Sequence, residues 1–88
     1  MIILTHFDWY GTAGKLKKFD EDWKKNCEKH EDTKFLGRYG PWNKKYHWTF
    51  FTKVKDISTW QKLNDGFEFE RDYEELSHLV LDVYEGPV

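Results

Sequence analysis

Few residues of this 88-residue sequence are suited to moving protons: four histidines, and a single cysteine at position 27. His6 and Asp8 stand two apart in an extended-looking run, so they share one face of a strand. His47 lies in a second such run, which pairing with the first would bring alongside. An imidazole beside a carboxylate makes a general base near neutral pH, or part of a metal site. Three such groups in a cleft suit proton abstraction from a phenolic or enolic substrate, or the binding of one divalent metal. His6, Asp8 and His47 are therefore the candidate catalytic set. The plainer alternative is a hydrogen-bonded polar cluster at the sheet rim or inside a dimer, because strand register is not readable from sequence. Cys27 and His30, about one helical turn apart, suggest a nucleophile pair. No third group supports them, and a small buried thiol with a helix-end histidine accounts for both.

These side chains need elements to hold them. Residues 2–10 read as a strand of branched and aromatic residues stopped by Gly11, with Ile3, Thr5, Phe7 and Trp9 on one face and Ile2, Leu4, His6 and Asp8 on the other. Residues 13–31 read as a helix capped by Thr12, with Leu16, Phe19, Trp23, Cys27 and His30 on one buried stripe. A strand over 33–39, a turn at Gly40-Pro41-Trp42-Asn43 and a long strand over 44–55 form a hairpin. Asp56 or Ser58 caps a second helix to about Asn64, Phe67 to Leu76 reads as a further short helix, and 78–84 as the last strand before Gly86-Pro87. Strand, helix, strand, strand, helix, strand with right-handed crossovers predicts an α+β, ferredoxin-like βαββαβ sandwich. Its sheet order is 4-1-3-2, with both helices on one face.

Composition bounds the rest. The chain reads as one domain over residues 1–88. Fourteen Lys and Arg against 16 Asp and Glu give a net charge of -2, which argues against a partner bound by phosphate neutralisation, such as nucleic acid. No apolar run is long enough for a membrane helix, and the opening residues lack a signal-peptide pattern, so a cytoplasmic setting is expected. Tyr46, Trp48 and Phe50 on a sheet suggest base stacking, yet the string that RNA-recognition sheets require is absent. Gly11-Thr12-Ala13-Gly14-Lys15 has the wrong spacing for a phosphate loop. Tyr39 and Trp42 flank the hairpin tip, where either a ligand or a partner subunit would meet them.

Aromatic residues make up 19% of the chain, more than so small a core readily hides. Helices can cover only one sheet face, and the strands do not alternate cleanly. The first strand has Ile2 and Leu4 against Ile3, Phe7 and Trp9, the third has Phe51 beside His47 against Tyr46, Trp48, Phe50 and Val54, and the last has Leu79, Leu81 and Val83 against Val80 and Tyr84. The second face would therefore expose an apolar patch, which monomers seldom tolerate. Two sheets packed face to face, as a homodimer, would bury it.

In this pattern the chain resembles the dimeric α/β-barrel superfamily. Its most specific stretch is Ile57-Ser58-Thr59-Trp60-Gln61-Lys62-Leu63 followed by Phe67-Glu68-Phe69-Glu70-Arg71-Asp72-Tyr73-Glu74-Glu75-Leu76, which looks like the broken second helix of these proteins. The resemblance implies a homodimer with a cleft between helices and sheet in each subunit, walled here by Trp9, Trp23, Trp48, Trp60 and Tyr73. It implies a small-ligand-binding protein of stress-response or regulatory type. The alternative is a cofactor-independent monooxygenase- or isomerase-like enzyme acting on a small aromatic or polyketide-like compound. No cofactor is expected on the main reading. Haem-degrading members carry an Asn on the first strand, a Trp in the second-helix region and an axial His on the last helix. Here Trp60 matches the Trp, His6 or Phe7 stands at the Asn position, and the axial position falls near Tyr73, with His78 five residues on.

Overall fold

Alternation along the first strand sets the layers. In the computed structural model, which describes residues 1–42, 47–67 and 73–84 without the side chain of His78, β1 (Ile2–Trp9) turns Ile3, Thr5, Phe7 and Trp9 fully inward. The chain continues through α1 (Ala13–Glu28), β2 (Lys34–Tyr39), β3 (His47–Lys53), α2 (Ile57–Asp65) and β4 (Leu76–Tyr84). The described strands form one antiparallel sheet in the order β2-β3-β1-β4. Two helices against an antiparallel sheet make a small α+β fold consistent with the ferredoxin-like class.

The core lies between the helices and the inward face of β1 and β3. Leu16, Phe19, Trp23 and Cys27 of α1 and Trp60 and Leu63 of α2 pack on Ile3, Phe7, Trp9 and Phe50. Phe19 sits at its centre, with ring centroids 5.3 Å from Phe7, 5.4 Å from Trp9, 4.9 Å from Phe50 and 4.5 Å from Tyr73. Two polar groups in this layer are paired across it: the Trp23 indole N–H donates to Thr52 Oγ1 at 3.0 Å, and Asn26 donates to the Leu63 carbonyl at 2.9 Å. Thr12 and Asp56 cap the two helices by accepting from the N–H of Lys15 and Thr59. The Thr59 backbone N–H, then its hydroxyl, hold the Asp56 carboxyl below its usual range.

Three expectations change at the element ends. α1 stops at Glu28, so His30 lies beyond the helix and is only half-buried. Of the short helix expected over Phe67 to Leu76, residues 68–72 lie outside the described set, while Tyr73 to Glu75 are not helical and Leu76 opens β4. Leu76 is drawn into the ladder because its side chain is buried opposite Trp9, a gain that outweighs the weak helical preference of the preceding glutamates. Tyr46, Asn43 and the Gly86-Pro87 end also lie outside the described residues.

Gly11 is required by close approach. A Cβ there would stand 2.6 Å from Glu75 Cγ and 3.0 Å from Trp9 Nε1, so the glycine serves the strand-to-helix turn.

Candidate acid-base site on the open sheet face

The register decides which candidate residues meet. His6 pairs opposite Thr49 and Asp8 opposite His47, so all four project from the face that the helices leave uncovered. On the other side of β1, Val80 stands opposite His6, and Asp82 lies one place further along the same face, opposite Leu4. A register shift between His6 and Asp8 carries Ser77 opposite Asp8. The His6, Asp8 and His47 set is thus brought together, and Asp82 and Thr49 join it.

Two imidazole–carboxylate pairs result. His6 Nε2 lies 3.0 Å from Asp82 Oδ2, and His47 Nδ1 lies 3.4 Å from Asp8 Oδ1. The two rings are nearly parallel, 21° apart in plane, with centroids separated by 6.2 Å. His6 is further tied through Nδ1 to Thr49 Oγ1 at 2.8 Å. The indole N–H of Trp42 donates to the same oxygen at 2.7 Å. A carboxylate only accepts, so a neutral His6 must carry its proton on Nε2 and take the Thr49 hydroxyl proton at Nδ1. Both nitrogens of His6 are therefore occupied. His47 is different: Nδ1 faces Asp8, the side chain is 41% exposed, and Nε2 has no partner among the described residues. His47 thus stands beside a carboxylate with Nε2 open to a ligand.

Aromatic rings border the polar group. Tyr39 pairs opposite Thr49 on the same face and packs edge-on against Phe51 at 5.0 Å. Trp42 reaches the face because Gly40, with φ of 133°, turns the chain back so that the Trp42 N–H bonds the His47 carbonyl at 2.9 Å. A Cβ at Gly40 would come within 2.8 Å of that carbonyl oxygen. Tyr39 and Trp42, both about half exposed, are the aromatic residues read from the hairpin tip.

The expected wall residues stand on the other side of the sheet. Trp9, Trp23 and Trp60 are buried among the rings of the core, and Trp48 lies under the Arg38 guanidinium, 4.1 Å from its ring centroid. Arg38 in turn makes a two-point ion pair with Asp20 at 2.7 and 2.9 Å. The candidate trio and these tryptophans therefore do not line one cleft. Trp9 and Tyr73 also edge a small helix-side cavity of about 290 Å3, with Lys15, Lys18, Asp22 and Glu75. Its polar groups are mutually engaged: Tyr73 donates to Asp22 at 2.9 Å, and Lys15 lies 2.9 Å from Glu75. That contact holds the Glu75 carboxyl low and the Lys15 ammonium high in pKa.

Other candidates resolve on burial. Cys27 is buried, and desolvation pushes its thiol up to about 12, so it is no nucleophile at neutral pH. His30, the other member of that pair, lies beyond the helix and donates its backbone N–H to the Cys27 carbonyl. The side chain of His78, five residues beyond the axial position expected for haem, lies outside the described residues. Among those residues no group of three His, Cys, Asp or Glu side chains is arranged to hold a metal ion, and no helix is long and apolar enough to cross a membrane. Compared with known proteins, the chain matches no family model, no curated relative and no solved structure. Sequence reasoning missed Asp82 and Thr49, whose positions follow only from the pairing of β1 with both neighbours.

Proposed function

We propose that this chain is a small-ligand-binding homodimer of the dimeric α/β-barrel kind, using the open sheet face both to pair and to bind. The observation that carries this is the pair of stacked, carboxylate-linked imidazoles on a face that the helices leave bare. The face is divided. Leu4, Phe51 and Tyr84 make the middle of its far half apolar, with Asp82 beside Leu4 and Lys34 and Lys53 at the edge, and His6, Asp8, His47 and Thr49 make its near half polar. A second sheet seated on the apolar half, about 10 Å away, would leave the polar half as a sheltered mouth rimmed by Tyr39 and Trp42. A planar compound with an acidic hydroxyl suits that mouth, its ring on the aromatic rim and its hydroxyl at His47 Nε2.

The test uses 4-nitrophenol, whose absorbance reports its ionisation. Binding at the mouth raises the phenolate band at pH 6.5 and shifts the amide resonances of residues 6, 8, 47 and 49. His47→Ala removes the band change. Shifts confined to Trp9 and Tyr73 would move the site to the helix side and overturn the reading. Sedimentation at micromolar concentration should give a dimer, and a stable monomer would remove the paired face.

The Asp8–His47 pair favours a second reading, a monooxygenase- or isomerase-like enzyme that begins by removing an acidic proton. Exchange of deuterium into the central carbon of pentane-2,4-dione, faster with the protein than with His47→Ala, would support it.

A further inference from the structure

A groove at the opposite end of the sheet has a separate chemistry. It has a volume of about 460 Å3 and is lined by Met1, Asp32, Thr33, Lys34, Lys53, Val54 and Lys55. Lys34 and Lys53 are direct cross-strand partners in the pairing of β2 with β3. Such neighbours have Cβ atoms about 5 Å apart, and like charges there repel. The repulsion is not relieved by the protein. Lys15, Lys18 and Arg38 each sit on a carboxylate, whereas Lys34, Lys53 and Lys55 make no ion pair among the described residues. Three ammonium groups face one lining carboxylate, Asp32, in a chain whose net charge is -2. The carboxylate next in sequence to Lys55, Asp56, is occupied in capping α2, accepting twice from Thr59 at 2.8 Å.

We infer that this groove binds a phosphate group, brought by a small phosphate ester or by free phosphate, through Lys34, Lys53 and Lys55. A dianion placed between Lys34 and Lys53 converts a repulsive pair into two charge-assisted contacts, and Lys55 adds a third. The Thr33 hydroxyl donates to the Glu31 carbonyl at 3.2 Å, so the cationic side chains supply the recognition. The groove lies apart from His6 and His47, so this inference stands or falls without the acid-base site.

The experiment follows backbone amide shifts during titration with phenyl phosphate and, separately, inorganic phosphate, at ionic strength held constant with KCl. Saturable shifts at 32–34 and 53–55 are expected with at least one of them. Tighter binding of phenyl phosphate identifies an ester as the ligand, and equal affinity identifies free phosphate. Lys34→Gln and Lys53→Gln should each weaken binding at least fivefold, while Lys17→Gln and Lys24→Gln, on exposed positions of α1, should not. Lys53→Gln should melt no lower than the parent, since it removes a like-charged neighbour, so lost binding cannot be taken for lost fold. Non-saturating shifts with both probes, or equal weakening by Lys17→Gln, would overturn the inference.

Discussion

His6 and His47 carry the same ring into different situations. His6 is held at both nitrogens, by Thr49 and Asp82, while His47 keeps one nitrogen open. Replacing His6 should therefore disturb the geometry of the face, and replacing His47 its proton chemistry; histidine resonances followed through pH 5–8 in each variant separate the two. Cys27 gives a sharper expectation. With its thiol raised by burial, it should resist a disulfide reagent at pH 8 and react only as fast as the chain unfolds. A thiol raised in the folded state favours folding fully below its ordinary value of 9.0, and that contribution fades as pH climbs toward 12. A Cys27→Ala variant should lose this fall in stability across pH 9–12, as read by denaturant midpoint. Thr5 is buried with its hydroxyl unpartnered among the described residues, so Thr5→Val, of nearly equal volume, should leave stability unchanged or raise it. That His6 and Asp8 share a face was legible from their spacing alone. That His47 joins them was not, because one residue of slip in β3 would have sent it into the core.

At the scale of elements, α1 and α2 are read easily because their apolar residues recur at helical steps and Thr12 and Asp56 stand where caps belong. The Asp56 carboxyl, held low by Thr59, supports folding above its ordinary pKa, and that support is lost as pH falls through the depressed value. Asp56→Asn should keep the cap at pH 7 and lose this acid dependence, whereas Asp56→Ala should lower the melting temperature at pH 7 as well. The stretch before β4 was misread because Glu74-Glu75-Leu76 suits a helix locally, and only burial against Trp9 reveals a strand. Between layers, the Trp23–Thr52 bond ties α1 to β3. Thr52→Val should cost about 1–3 kcal/mol by stranding the indole N–H, and adding Trp23→Phe should recover part of that loss, a coupling seen in a double-mutant cycle of denaturant midpoints.

At the scale of the whole molecule, the apolar content that pointed to a partner is divided between two places. Most rings fill the core, as Phe19 and its neighbours demonstrate, and composition alone could not separate these from the exposed ones. What remains outside includes Tyr39 and Trp42 at the hairpin and Val80, Leu81, Val83 and Tyr84 on β4. Introducing a charge by Leu4→Lys should shift a dimer toward monomer in sedimentation, since Leu4 projects from the apolar part of the open face.

Leu81 and Val83 share the inward side of β4 with the core residues Thr5 and Ile3, yet they remain 44% and 51% exposed, so among the described residues this outer strand is wet on both sides and flanked by a partner on one edge. Its nine residues, Leu76–Tyr84, contain a single formal charge, that of Asp82. Such a strand is a ready template for end-on stacking of further chains, with Asp82 as the gatekeeper against it. Asp82→Val should shorten the lag before thioflavin-positive fibrils grow in concentrated solution, so the carboxylate that steadies His6 would also be what keeps the protein dispersed.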